Sequence, residues 1–149
     1  MKSNLIYLVM ALITGALIPI QAATNAAFSK SIGNPYITGL MVFIVGLAGM
    51  SVFVLITGAS IPTAKQLVAA PVYGYLGGLI VATYVVMITI LVPRIGVGTA
   101  IGFIVTGQII FAVIIDHFGL FNVAARPIDF ARFIGVLLIA VGVYLVMKK

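Results

Sequence analysis

Long apolar runs alternate with short polar breaks along the whole chain, and this pattern is the main guide to its fold. Each run is long enough for a helix to cross a bilayer, which takes about 20 apolar residues. Prolines, glycines and isolated basic residues mark the breaks. The pattern predicts an all-α integral membrane protein, a single domain over residues 1–149 with spans at Leu5–Phe28, Pro35–Ile56, 70–92, Gly96–Ile115 and Phe130–Met147.

Composition supports a membrane protein and narrows its chemistry. The chain is 64% hydrophobic and 7% charged, whereas soluble domains carry about 25% charged residues. Cysteine is absent and there are two carboxylates and one histidine, a poor inventory for catalysis, so we predict no enzyme, no cofactor and no metal site. The net charge of +6 comes mostly from single basic residues near span ends, which is typical of membrane anchoring and not of nucleic-acid binding.

The first span carries an unusual group of polar residues in its second half. Pro19 donates no backbone hydrogen bond, so the carbonyl of Gly15 loses its helical partner and we expect a bend. At about 100° per residue, one helix face carries Thr14, Ile18, Gln21, Asn25 and Phe28. Polar groups inside a bilayer are usually shielded and often functional. This face predicts a solute-binding notch built on Gln21 and Asn25, with Phe28 either as its wall or facing lipid.

Gln108 and Tyr84 are further candidates for binding a solute. Gln108 is the one strongly polar side chain in the middle of the fourth span, and Tyr84 lies too near the middle of the third span for an interfacial belt residue. Carboxamides both donate and accept hydrogen bonds, so they suit neutral or charged solutes. The alternative for Gln21, Asn25 and Gln108 is structural, because such side chains also join helices, for about 1 kcal/mol each.

Asp116 and His117 end the fourth span and are candidates for a proton relay, because histidine titrates near neutrality. The alternative is an interfacial cap in which Asp116 pairs with Arg126 or Arg132. Asp129 and Arg132 have the spacing of a local pair at a helix start. The chain contains no glutamate, and no acid lies deep within a predicted span. Proton-coupled export of organic cations through a buried acid is therefore not expected.

Paired glycines predict faces on which helices pack closely, since glycine lets backbones approach each other in lipid. The pairs are Gly74 and Gly78, Gly98 and Gly102, Gly39 and Gly46, and Gly135 and Gly142. The first two pairs have the GxxxG spacing, and the other two repeat after two helical turns. Each pair therefore places both of its glycines on one helix face.

The distribution of basic residues predicts how the chain inserts. With five spans the two termini lie on opposite sides of the bilayer, and the eight Lys and Arg residues then divide equally between the sides. The positive-inside rule needs a surplus on one side to fix an orientation. We therefore predict dual topology with opposite copies paired in an antiparallel homodimer. The alternative is that the first helix or the lipid fixes one orientation.

Four motifs give the chain a resemblance to a known family. They are the P-x-Q-x-x-x-N core of Gly15–Phe28, the Pro93-Arg94-x-Gly96 turn, Gly107-Gln108 and the run Ile115-Asp116-His117-Phe118-Gly119. In this order they resemble the YdcZ-type inner-membrane exporters, the five-helix, half-size branch of the drug/metabolite transporter superfamily, which is similar to the ten-helix EamA-type transporters. The resemblance implies a bacterial inner membrane location and an antiparallel ten-helix dimer, and it supplies no substrate.

The function predicted from these features is secondary transport, with export of a small metabolite or drug-like solute by alternating access in the antiparallel dimer. Two inverted copies around an axis in the membrane plane give two equivalent conformations, open to opposite sides. The alternatives are a dual-topology ion channel and a subunit that requires an oppositely oriented partner chain.

Overall fold

Helices make up most of the computed structural model, which describes residues 2–148, with side chains from Asn4 onward. Their order is α1 (Lys2–Ile32), α2 (Pro35–Thr57), α3 (Ala64–Ala69), α4 (Leu76–Ile95), α5 (Val97–Phe118) and α6 (Phe130–Met147). Short 3-10 turns at Val72–Tyr75 and Leu120–Asn122 precede α4 and follow α5. All of these helices except α3 are long and apolar enough to cross a membrane. The predicted all-helical architecture with five long apolar helices is confirmed.

A two-residue connection joins α1 to α2. Gly33, with a φ of 78°, takes the left-handed conformation that commonly ends a helix. Asn34 then caps α2, because its Oδ1 accepts hydrogen bonds from the backbone N–H groups of Tyr36 at 2.9 Å and Ile37 at 3.2 Å. Pro35 occupies the first turn of α2, where its missing N–H removes no helical bond. α2 therefore begins at Pro35, the residue predicted for the start of the second span.

The end of α4 differs from the prediction. The sequence placed a break at Pro93-Arg94, and this is wrong, because α4 includes both residues and ends at Ile95. A proline in the last turn removes one hydrogen bond without ending the helix, whereas Gly96 has a φ of 83°, outside the helical region. α1 likewise continues through Pro19 as one helix, and the bend expected there remains a prediction.

The chain divides into two compact units. The first ends at Arg94 and the second begins at Ile95, so α5 and α6 belong to the second. In the first unit, buried residues recur at helical spacing in α1 (Ala22, Asn25 and Ala26) and in α4 (Val85, Ile88, Thr89 and Val92), and α2 contributes Thr38 and Gly39. The small residues allow close helix approach.

Close contacts in both units occur at glycines of the predicted pairs. A Cβ atom added to Gly39 would lie 3.2 Å from Cγ2 of Val86, so α2 and α4 are in contact there. In the second unit, a Cβ atom added to Gly102 would lie 2.9 Å from Cγ1 of Val143, where α5 meets α6. The partners Gly46 and Gly98 have open space instead. One glycine of each of these two pairs therefore carries the close approach.

Candidate functional site

Asn25 lies on the buried stripe of α1 between two alanines. Only 6% of the residue is exposed, and its Nδ2 is buried with no hydrogen-bond partner among the described residues. Leaving a buried amide donor unpaired costs about 1–3 kcal/mol. The side chain therefore offers a donor that a ligand or a second chain can satisfy.

A cavity of about 420 Å³ adjoins this side chain. It lies between α1 and α2 and is lined by Thr24, Asn25, Phe28, Met41, Val42 and Val45. We call it the Asn25 cavity. Its walls are mostly apolar, and Thr24 Oγ1 already donates to the carbonyl of Gln21 at 2.9 Å. Asn25 is therefore the group in this wall with free hydrogen-bonding capacity, and the half-exposed ring of Phe28 lies beside it.

Gln21 borders a different cavity. This space, about 410 Å³, lies among α1, α2 and α4 and is lined by Gln21, Val42, Phe43, Gly46, Leu47, Met50, Val81 and Val85. Val42 lines both this Gln21 cavity and the Asn25 cavity. The two carboxamides predicted to share one notch thus line two different cavities that have one wall residue in common. The Gln21 side chain is exposed in the single chain.

Tyr84 carries the second unpaired group of the first unit. Its hydroxyl is buried and has no hydrogen-bond partner among residues 2–148. Its neighbour Val85 belongs to the buried stripe of α4 and lines the Gln21 cavity. Buried polar groups are nearly always paired, so a second such group in one unit points again to a missing partner.

A third cavity of the first unit lies against the last two turns of α1. It has a volume of about 520 Å³ and is lined by Ala26, Ala27, Ser29, Lys30, Gly33, Pro35 and Pro93. This Lys30 cavity is formed by the end of α1, the start of α2 and the end of α4. Lys30 is its one charged wall residue, and its side chain is exposed. Sequence reasoning treated Lys30 as a topology marker and did not include it in the site.

Gln108 lies in the second unit, on α5, and its side chain is exposed. It lines neither of the cavities described between α5 and α6, which hold about 280 Å³ and 130 Å³ and have almost wholly apolar walls. The role of Gln108 in binding a solute remains a prediction.

Asp116 and His117 take part in a local network that fastens the connection between α5 and α6. The backbone N–H of Arg126 donates to the carbonyl of Asp116 at 2.7 Å, and the backbone N–H of Ile128 donates to Nδ1 of His117 at 3.0 Å. Arg132 lies 3.7 Å from the Asp116 carboxylate through Nη1, which also donates to the carbonyl of Arg126 at 3.1 Å. The pairing of Asp116 with Arg132 expected for an interfacial cap is present, and the proton relay remains a prediction.

Asp129 starts α6 in the way that its spacing indicated. Its Oδ1 accepts a hydrogen bond from the backbone N–H of Arg132 at 2.7 Å, which is the geometry of a helix cap. The guanidinium of Arg132 is directed to Asp116 and Arg126 instead. The predicted local pair is thus made through the backbone of Arg132 and not through its charge.

The fold and the cavities define a polytopic α-helical membrane protein with unpaired polar groups buried in its apolar helices. Among the described residues, no group of three or more His, Asp or Glu side chains is placed to hold a metal ion.

The family model described as "Putative inner membrane exporter, YdcZ" matches residues 6–145. The chain belongs to this family of exporters within the drug/metabolite transporters, and the resemblance drawn from its four motifs is confirmed. No curated protein and no solved structure matches the chain.

Proposed function

We propose that the chain is a secondary transporter that exports a small solute, and that the Asn25 cavity is part of its binding site. The observation that carries this proposal is the unpaired, buried Nδ2 of Asn25 beside a cavity of about 420 Å³. Small-molecule sites typically combine about 300–1,000 Å³ of mostly apolar space with a few placed polar groups. A solute that accepts a hydrogen bond from Asn25 would remove the cost of the unpaired donor.

We propose further that the working unit is an antiparallel dimer in a bacterial inner membrane. Gln21 and Gln108 lie within apolar helices with exposed side chains, and carboxamides facing lipid are unfavourable because the hydrocarbon offers no hydrogen-bond partner. A second copy, or a water-filled pathway enclosed by two copies, would cover them. The equal division of basic residues allows the two copies to insert in opposite orientations.

In this proposal the side chains that line the cavities have different roles. Asn25 donates to the solute at the buried end of its cavity, and Tyr84 offers a hydroxyl that donates or accepts. Phe28 supplies an apolar wall. Val42 lines both the Asn25 cavity and the Gln21 cavity, so it is the side chain that a solute would contact in either one. Exchange of the subunit roles then opens the pathway to the opposite side.

The proposal is tested with purified protein in vesicles loaded with a small-molecule bacterial extract, whose retained contents are followed by mass spectrometry. Wild-type vesicles are expected to lose particular solutes that protein-free vesicles keep. Asn25→Ala should slow this loss at least tenfold. Thr24→Ala is the matched control, since the Thr24 hydroxyl lines the same cavity and is already bonded within α1; it should transport like the wild type.

Thermal unfolding separates a binding role for Asn25 from a structural role. Removing an unpaired buried amide leaves no lost hydrogen bond, so Asn25→Ala should unfold at a temperature no lower than the wild type. A melting temperature lowered by several degrees, with transport intact, would show that Asn25 joins helices or subunits instead. Unitary currents across a planar bilayer would replace the transporter proposal with a channel.

Orientation is tested separately through a single cysteine appended to the C-terminus of this cysteine-free chain. An impermeant thiol reagent is applied to intact cells and then to permeabilised cells. Labelling of about half the protein from outside is expected for dual topology. Labelling that is all-or-none would exclude the inverted homodimer and direct the search to an oppositely oriented partner chain.

A further inference from the structure

We infer that the connection between α5 and α6 is a pH-sensitive clamp, which neutral His117 holds closed and which opens when this side chain binds a proton. The inference goes beyond the proposed transport function and does not depend on it. It rests on three features of the second unit: the direction of one hydrogen bond, strained backbone within the connection, and the charged groups around it.

The hydrogen bond between His117 and Ile128 requires an uncharged imidazole. The backbone N–H of Ile128 donates to Nδ1 of His117 at 3.0 Å, so this nitrogen carries no proton and the neutral ring holds its proton on Nε2. In a charged imidazole both nitrogens are donors. Protonation therefore sets two N–H groups against each other and removes the bond. Histidine is the side chain that ordinarily changes its charge between about pH 5 and pH 8, and His117 is only half-buried.

The first part of the connection has strained backbone. Gly119, Phe121 and Asn122 have φ angles of 60°, 57° and 62°, all in the left-handed region. Glycine adopts this conformation readily, whereas a bulky residue such as phenylalanine is an outlier there. Such strain persists only where surrounding contacts hold it, and its cost is of the same order as the net contribution of a hydrogen bond. The contacts that hold the connection closed therefore act against this strain.

Two backbone bonds fasten the connection to the end of α5. One is the bond from Ile128 to His117, and the other joins the backbone N–H of Arg126 to the carbonyl of Asp116 at 2.7 Å. Arg132 supports the second bond, because its Nη1 donates to the carbonyl of Arg126 at 3.1 Å. Backbone amides and arginine keep their protons throughout the physiological range. A proton at His117 thus removes one of the two bonds, and the strain is then opposed by the other alone.

The charged groups around His117 do not titrate in the same range. In the second unit, as far as the structure describes it, the charged side chains are Asp116, Arg126, Asp129 and Arg132, with Lys148 at the far end of α6. Asp116 pairs with Arg132 at 3.7 Å, and Asp129 Oδ1 caps α6. Carboxylates ordinarily change their charge at lower pH than histidine, and lysine and arginine at higher pH. This use of His117 differs from a proton relay, because the bound proton changes a backbone contact and is not passed on.

A spin label on a cysteine that replaces Val123 tests the clamp. Val123 lies within the connection with 46% of its surface exposed, and the chain has no cysteine of its own. The mobility of the label in the purified protein is measured in steps from about pH 8 to about pH 5. It is expected to rise several-fold as the pH falls. A label at Leu138, on the exposed face of α6, should keep its mobility throughout.

Four variants assign the change to His117. His117→Asn offers an oxygen in place of Nδ1 and binds no proton in this range, so the Val123 label should stay immobile at every pH. His117→Ala has no acceptor, and its label should be mobile at every pH. Asp129→Asn keeps a residue that caps helices, and Asp116→Asn keeps the carbonyl that binds Arg126. Both should show the transition of the wild type.

Three outcomes would overturn the inference. They are constant mobility of the wild-type label at Val123, the same transition in His117→Asn, and loss of the transition in Asp116→Asn or Asp129→Asn. A parallel change at Leu138 would also overturn it, since the whole unit would then loosen and not the connection alone. None of these results bears on solute transport, which the vesicle experiment measures separately.

Discussion

Gly102→Ala is the substitution whose effect follows most directly from the structure. The added Cβ atom would lie 2.9 Å from Cγ1 of Val143 and 3.9 Å from Sδ of Met147. Carbon atoms in favourable contact are about 3.5–4.0 Å apart. Val143 is β-branched, so one χ1 rotamer dominates in a helix and its methyl group cannot easily turn away. We therefore expect α5 and α6 to be forced apart at this point.

The magnitude is clearest as a difference from Gly107→Ala, five residues later on α5 and likewise inside the helix. Overpacking of a well-packed contact costs about 1–3 kcal/mol, whereas the gain from replacing a glycine inside a helix by alanine, about 1 kcal/mol, applies to both variants. A Cβ atom at Gly107 meets nothing within 4 Å. Gly102→Ala should thus be about 1–3 kcal/mol less stable than Gly107→Ala. Adding Val143→Ala should remove most of this difference.

The assay measures fluorescence energy transfer between two dyes, each attached to a cysteine. The cysteines replace Phe111 and Leu138 on the exposed faces of α5 and α6. The purified protein is titrated from a mild detergent into SDS, and loss of transfer reports separation of the two helices. The double-variant cycle then gives the coupling between Gly102 and Val143. Equal stability of Gly102→Ala and Gly107→Ala, or no rescue by Val143→Ala, would refute the contact.

Three further predictions address the other contacts. Asn34→Ala should lower stability by about 1 kcal/mol in the same type of assay on α1 and α2, because it removes the cap of α2, and Asn34→Ser should retain most of the stability. Gly46→Val should fill the Gln21 cavity and reduce solute loss from vesicles without lowering stability, whereas Gly49→Val, outside that cavity, should not. His117→Ala should speed hydrogen exchange of the Ile128 amide several-fold, and His117→Asn, whose oxygen can take the place of Nδ1, should not.

Most of the fold follows from the sequence because the bilayer allows few solutions. An apolar run of about 20 residues in lipid must satisfy its backbone internally, so five such runs give five helices. Helix ends were harder to predict, because they depend on single residues. Pro93 suggested a break that Gly96 provides through its positive φ, and α1 runs beyond Phe28 to Ile32, where the positive φ of Gly33 ends it.

The candidate site was only partly predictable for a related reason. Helical spacing places Gln21 and Asn25 on neighbouring positions of one face, but packing selects the stripe formed by Ala22, Asn25 and Ala26 because alanines permit the closest approach. Gln21 is left at the edge of another cavity. The division of the two carboxamides between two cavities depends on how α2 packs, which no pattern within α1 reveals.

The placement of Lys30 gives the proposed antiparallel dimer a property that a parallel dimer lacks. Lys30 lies in the last turn of α1, next to the short connection to α2, and so near one surface of the bilayer. In two copies of opposite orientation, the two Lys30 side chains lie near opposite surfaces. Each surface then has one of these cations, whereas a parallel pair would place both of them at one surface and none at the other.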